Sequence, residues 1–223
     1  MLRAVGFDFD HTLGIDNKLE RVAFLRILEE ACASGACYLG TLAEEIERID
    51  AILQRQRTGE CSIEAAVEGF IAQRGVRPAG YADRYKRLAL EMADAFVIPE
   101  PGVRALLDGL FERGIRCAIL TNGWSPLQER KAQRIGFDGP VLVSATMGVQ
   151  KPHRRAFELL AEALECDASD AAYVGDNPIV DVAGARAAGM RAVWYDAEGA
   201  TYPKDIPAPD AVIHSLADIC ALT

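Results

Sequence analysis

Two aspartates one residue apart, Asp8 and Asp10, close a short apolar run, Ala4-Val5-Gly6-Phe7, near the start of a 223-residue chain. A brief apolar segment without alternation predicts a strand buried on both faces of a parallel sheet. Carboxylates at its carboxyl end then stand at the sheet edge where open α/β proteins bind ligands. Three later segments repeat the arrangement. An apolar run over 116–120 ends in Thr121-Asn122-Gly123, Lys151-Pro152 follows a run over 141–144, and a run over 171–174 ends in Gly175-Asp176-Asn177-Pro178, with Asp181 close behind.

Each piece alone has a bland reading: Asn-Gly as a hairpin turn, the lysine as solvated surface, Asp181 as a helix cap. The helix-start signal Ser125-Pro126-x-Gln128 directly after Gly123 removes the hairpin. The strand ends together supply four carboxylates, Asp8, Asp10, Asp176 and Asp181, opposed by Lys151. Like charges so crowded raise each other's pKa unless a cation sits among them. With oxygen donors only, and no thiol or imidazole in reach by spacing, that cation reads as Mg²⁺. Lys151, Thr121 and nearby backbone amides would then surround a phosphoryl group with positive potential, as phosphoryl transfer requires.

The elements that must position these residues follow from the patterning. After Leu13 the sequence turns helical for about eighty residues, too long for a structureless loop. Asn17, Thr41 with Glu44, and Ser62 are helix-start signals. Apolar stripes at Leu19, Val22, Ala23, Arg26 and Ile27, at Ile46, Ile49 and Leu53, at Ala66, Val67, Phe70 and Ile71, and at Tyr85, Leu88, Met92 and Phe96 predict a four-helix bundle over 15–97. From Val103 strand and helix patterns alternate to a last edge strand at 211–213. The expected fold is a doubly wound, mostly parallel, Rossmann-like α/β sheet built from 1–14 and 98–223, with the bundle inserted at 15–97.

In these ordered motifs the chain resembles the haloacid dehalogenase-like (HAD) hydrolase superfamily over its whole length. Asp8-Phe9-Asp10-His11-Thr12-Leu13 is similar to the first motif, Thr121-Asn122 to the second, Lys151-Pro152 to the third, and Gly175-Asp176 through Asp181 to the fourth. The insert is similar to the small α-helical cap of one branch. The resemblance implies a Mg²⁺-dependent phosphomonoesterase working through an aspartyl-phosphate, with Asp8 as nucleophile and Asp10 as acid and base. It implies metal ligation by the Asp8 side chain, the Asp10 carbonyl and Asp176, with Asp181 orienting the metal's waters or Lys151. Phosphate would be held by Lys151, Thr121 and the Asn122 backbone amide. His11 stands where this family commonly has Gly, Asn or Asp, and is read as tolerated variation. Dehalogenases of the fold lack an acid two residues after the nucleophile, because halide leaves without a proton, so Asp10 argues against dehalogenation. The alternatives are a phosphomutase or phosphotransferase of the same fold, which also keeps both acids, and a non-catalytic regulatory binding protein, which generally loses one.

Composition narrows the partner. A formal charge of −9 opposes nucleic acid polymers and anionic membrane surfaces, leaving a small-molecule phosphate ester as the expected partner. Six scattered cysteines without a CxxC, and no long apolar segment, suit a cytoplasmic protein. The joins between cap helices, near 14–17, 35–40, 57–61 and 75–80, are where substrate choice is expected.

Overall fold

The computed structural model describes residues 2–16 and 18–222; Asn17, read above as a helix cap, lies outside them. The chain divides into two compact units: Asp16–Val97, and the residues up to Ile15 joined by those from Ile98 onward.

The first unit consists of α1 (Leu19–Ala33), α2 (Leu42–Arg57), α3 (Ile63–Ala72) and α4 (Tyr81–Phe96). Thr41 and Glu44 close the expected capping box on α2, and the Ser62 hydroxyl accepts from Ala65 N at the start of α3. The apolar stripes meet around Phe24, whose ring lies 5.2 Å from Phe70 and 4.8 Å from Tyr85, centroid to centroid. Two faces are turned by about one position from the reading above. On α1, Phe24 and Leu28 are buried in place of Val22 and Arg26. On α4, Ala89 and Ala93 form the inner face while Met92 and Phe96 are half-buried. Small alanines allow close helix approach, which no count of large apolar residues shows.

One feature of this bundle contradicts its sequence pattern. Glu45 and Arg74 have fully buried side chains that bond each other, and the Arg74 guanidinium lies 3.7 Å from the centroid of the Phe70 ring. Glu45 also accepts from Leu39 N at 2.6 Å.

In the second unit, β1 (Ala4–Phe7) is short and wholly buried because it has a neighbour on each side. The remaining elements are β2 (Gly14–Ile15), β3 (Ile98–Pro99), α5 (Val103–Glu112), β4 (Arg116–Thr121), α6 (Leu127–Arg134), β5 (Val141–Val143), α7 (Ser144–Met147), α8 (Arg154–Ala163), β6 (Ala171–Gly175), α9 (Gly184–Ala187), β7 (Arg191–Tyr195) and β8 (Ala211–Ile213). The main sheet has the order β5-β4-β1-β6-β7-β8 with every pairing parallel, and so is the doubly wound α/β sheet expected. Register sets Phe7 beside Ile119 and Val174, which brings the carboxyl ends of β1, β4 and β6 level. α8 covers the sheet, with Phe157 edge-on to Tyr173 at 5.0 Å. β2 and β3 form a two-residue antiparallel pair where the chain leaves and re-enters the unit, too short to register as a periodicity. No helix among the described residues is long and apolar enough to cross a membrane.

Removing one partner of a buried ion pair leaves an uncompensated charge, at a cost of about 3–5 kcal/mol. Glu45→Ala should lower stability to chemical denaturation by about that much, whereas replacing Glu45 and Arg74 together by methionine should cost far less. Equal losses in the single and double variants, measured by urea titration, would show that packing rather than charge pairing holds this site.

Candidate active site

The residues singled out by spacing are placed by four strand ends. Asp8 leaves β1 with its N–H donating to Val174 O at 2.9 Å, so its start is tied to the neighbouring strand. The chain then turns tightly, with Phe9 O accepting from Leu13 N at 2.9 Å and from Gly14 N at 3.1 Å. That turn requires φ +59° at His11. In this left-handed region Gly, Asn and Asp are at ease and His is tolerated better than most side chains. The backbone thus explains the residue choice at this position.

Lys151 ties the strand ends together. Its buried ammonium lies 2.7 Å from Asp8 Oδ1 and 2.8 Å from Asp181 Oδ1, and donates to the Tyr173 hydroxyl at 2.9 Å. The Tyr173 hydroxyl in turn donates to Leu120 O at 2.8 Å. Asn122 locks the lysine's backbone on both sides, its Nδ2 donating to Lys151 O and its Oδ1 accepting from Lys151 N, each at 3.0 Å. The Asn122 side chain is therefore committed to holding Lys151. What it can offer an anion is backbone. Thr121, at the end of β4, is buried.

After β6 the chain makes a wide, π-helical turn over 178–183, which α9 continues. Asn177, not Asp181, caps this turn, its Oδ1 accepting from Ile179 N and Val180 N. Asp181 is thereby left to face the site, where its Oδ2 accepts from Asn177 N at 3.0 Å. Gly175 permits this, since a Cβ there would stand 2.4 Å from Asp181 Cγ. Asp176 is half-buried, and its carbonyl accepts from the Trp194 indole at 2.7 Å.

Asp8, Asp176 and Asp181 each bring one carboxylate oxygen within 4.8 Å of the others. The Asp10 side chain stands outside this trio. Its carboxylate pairs with the ammonium of Lys131, a fully buried residue of α6 that spacing alone did not single out. Tyr173 was missed for the same reason, each reading as ordinary sequence within its element. α6 itself begins at Leu127, and the Ser125 hydroxyl bonds Glu129 in place of capping the helix.

Electrostatics decide what the trio can hold. Burial raises the Asp8 carboxyl to about 7 against the pull of Lys151, with Asp181 and Asp10 adding to the rise. Burial likewise raises Asp176 to about 8, with Asp8 and Asp181 contributing. For Lys151, burial works against the charge, yet Asp181 and Asp8 outweigh it and hold the ammonium above its ordinary value. Two acids resist ionisation while standing among oxygen donors within one ion's reach. That is the donor set and the electrostatic deficit that a hard divalent cation fits.

These residues and their order can be compared with known proteins. The model of the family described as haloacid dehalogenase-like hydrolase matches residues 2–189. A phosphoserine phosphatase of Thermus thermophilus is 40% identical over 117 residues, covering 48% of this chain and 47% of its own length. The chain thus spans about half the length of the first curated relatives it matches. A glyceraldehyde 3-phosphate phosphatase of Methanothermobacter thermautotrophicus is 27% identical over 89% of this chain and 87% of its own. Among solved structures, a 2-haloacid dehalogenase from Pseudomonas syringae pv. Tomato superposes with a TM-score of 0.75 at 25% identity, over 100% of this chain and 98% of that one. With its fold, its four strand-end motifs and the match over most of its length in agreement, the chain belongs to the haloacid dehalogenase-like hydrolase family.

Proposed function

We propose that this chain is a Mg²⁺-dependent phosphomonoesterase acting on a small phosphorylated metabolite through an aspartyl-phosphate. The observation that carries the reading is a trio of carboxylates within 4.8 Å of one another, bridged by Lys151, with a further acid, Asp10, two residues after Asp8. A halide leaves without a proton, whereas an alkoxide needs one, so a second acid beside the nucleophile serves ester cleavage. The phosphatases among its relatives agree with this reading.

In the reaction proposed, an Asp8 oxygen attacks phosphorus as the bond to the ester oxygen breaks, and the Asp10 carboxyl gives its proton to the departing alkoxide. The resulting Asp10 carboxylate then takes a proton from water, whose oxygen attacks the aspartyl-phosphate to release inorganic phosphate and restore Asp8. Lys151 and Thr121 hold the transferring oxygens. Asp8, Asp176 and the Asp10 carbonyl would hold the cation, with Asp181 fixing Lys151 and the cation's waters. A bound Mg²⁺ supplies positive charge that keeps Asp8 ionised and offsets charge building on the phosphoryl oxygens. The helical unit, Asp16–Val97, is proposed as a cap that selects the substrate. No disulfide joins the cysteines among the described residues, which suits the reducing cytoplasm.

With p-nitrophenyl phosphate and Mg²⁺, Asp8→Asn should lower turnover by more than about 10³-fold while leaving the fold intact; full activity in that variant removes Asp8 as nucleophile. Release of inorganic phosphate, followed over nucleotides, sugar phosphates and flavin mononucleotide, separates hydrolysis from transfer to a second substrate. A mutase or phosphotransferase would release little.

The raised carboxyls also make stability depend on pH. With Asp8 near 7 and Asp176 near 8 in the folded chain, against 3.8 ordinarily, the folded state binds more protons than the unfolded state between those values. Their protonated forms stabilise the metal-free protein below about pH 4, and that contribution is lost as pH rises through about 8. Thermal melts in EDTA should therefore fall from about pH 5.5 to about pH 8.5, and added Mg²⁺ should restore most of the loss at the higher pH. Melts indifferent to Mg²⁺ at both pH values, or activity surviving exhaustive chelation, would contradict the metal site.

A further inference from the structure

We propose that Lys131, on the inner face of α6, is the positioning residue for Asp10, holding that carboxyl group in the orientation from which it protonates the leaving group. The inference rests on the phosphomonoesterase reading and adds to it a residue outside the four strand-end motifs.

The pairing joins a sealed ammonium to a carboxylate that still reaches solvent. The Lys131 side chain is 0% exposed and Asp10 is 28% exposed. The ammonium donates to Asp10 Oδ1 and stands 5.1 Å from the centroid of the Phe9 ring. Sealing an ammonium away from water costs several kcal/mol before pairing, and a methionine would fill similar space without that cost. Nor does α6 lack a wet surface to carry a lysine, since Arg130, Gln133 and Arg134 take places on its outer side. Beside Lys131 on the buried face is Gln128, whose Oε1 finds no hydrogen-bond partner among the described residues. The inner face of this helix thus sets Gln128 and Lys131 beside the apolar Leu127 and Ala132.

Asp10 lies within the tight turn that Phe9 begins and has rotamer freedom of its own, so the turn fixes its backbone and not its carboxylate. Acid catalysis requires that carboxylate within hydrogen-bond reach of one oxygen at the moment of bond cleavage. A fixed ammonium on Oδ1 supplies the constraint. In the step concerned, Asp10 enters protonated on Oδ2 while Oδ1 accepts from Lys131; the Oδ2 proton passes to the ester oxygen as the phosphorus–oxygen bond breaks, and Lys131 keeps its own proton throughout.

The test compares Lys131→Met, Asp10→Asn and the double variant on phenyl phosphate, a poor leaving group, and p-nitrophenyl phosphate, a good one. It reads kcat/KM, which reports steps through departure of the alcohol. Lys131→Met should lose about 10²-fold on phenyl phosphate and less than tenfold on p-nitrophenyl phosphate, and should add little to Asp10→Asn. Should the methionine variant fail to fold, Lys131→Gln takes its place in the same comparison. Equal losses on both esters, no loss on either, or losses that multiply in the double variant would overturn the proposal while leaving the phosphomonoesterase reading in place. If the wild type with Mg²⁺ hydrolyses neither ester nor any compound of the phosphate-release screen, the phosphomonoesterase reading itself falls, and the role of Lys131 with it.

Discussion

A buried ammonium among carboxylates is the constraint on which the rest of the active unit depends. Lys151 has three protons to donate and three acceptors around it: Asp8, Asp181 and the Tyr173 hydroxyl. These come from the end of β1, the turn after β6 and the middle of β6, so the lysine joins two stretches of chain more than 160 residues apart to its own. Attraction at such distances in a poorly solvated site is far stronger than at a surface, and so is the penalty for losing it. The surrounding structure accordingly over-determines the lysine. Asn122 grips its backbone from the β4 end, and Tyr173 is itself anchored on the Leu120 carbonyl. The parallel register that makes the strand ends level is what brings all these groups within reach at once.

Much of this was legible in the sequence because it depends on local patterning. Short apolar runs marked β1, β4 and β6, and polar residues at their ends can only emerge at one edge of a parallel sheet. The capping box of α2 was legible because Thr41 and Glu44 are three residues apart and act on one helix end. What stayed hidden depends on partners far away in the chain. Lys131 meets Asp10 across 121 positions, and Glu45 meets Arg74 across 29. A lysine or glutamate within a helix pattern reads as solvated face until the partner that buries it has been placed. Tyr173 was hidden differently, since an aromatic residue in a central strand fits the core reading and only its hydroxyl shows a second use. At His11 the residue type was visible but the positive φ that explains it was not.

Charge bookkeeping shows why the second lysine matters beyond its own contact. Reading spacing alone, four carboxylates faced one ammonium; with Lys131 they face two. The site then has a formal charge of −2 when every acid is ionised, the deficit that one divalent cation cancels. The chain has another way to reduce that charge, toward which burial and mutual repulsion push Asp8 and Asp176: protonation of the acids. A protonated Asp8 is no nucleophile, so the two ways of reaching neutrality differ in chemistry although they are similar in charge.

The two lysines divide the four acids into groups with different tasks. Lys151 lies against Asp8 and Asp181, so its charge acts on the proposed nucleophile and on the oxygens that would gather around a cation. Lys131 pairs with Asp10, whose side chain stands outside the trio. An unopposed Asp10 carboxylate would add its repulsion to Asp8, two residues away, and would be drawn toward whatever cation the trio holds. Pairing with a buried ammonium holds its carboxylate away from the trio. Separate counter-charges, Lys151 for the proposed nucleophile and Lys131 for the proposed acid, thus ease the repulsion of placing both carboxylates on one strand end.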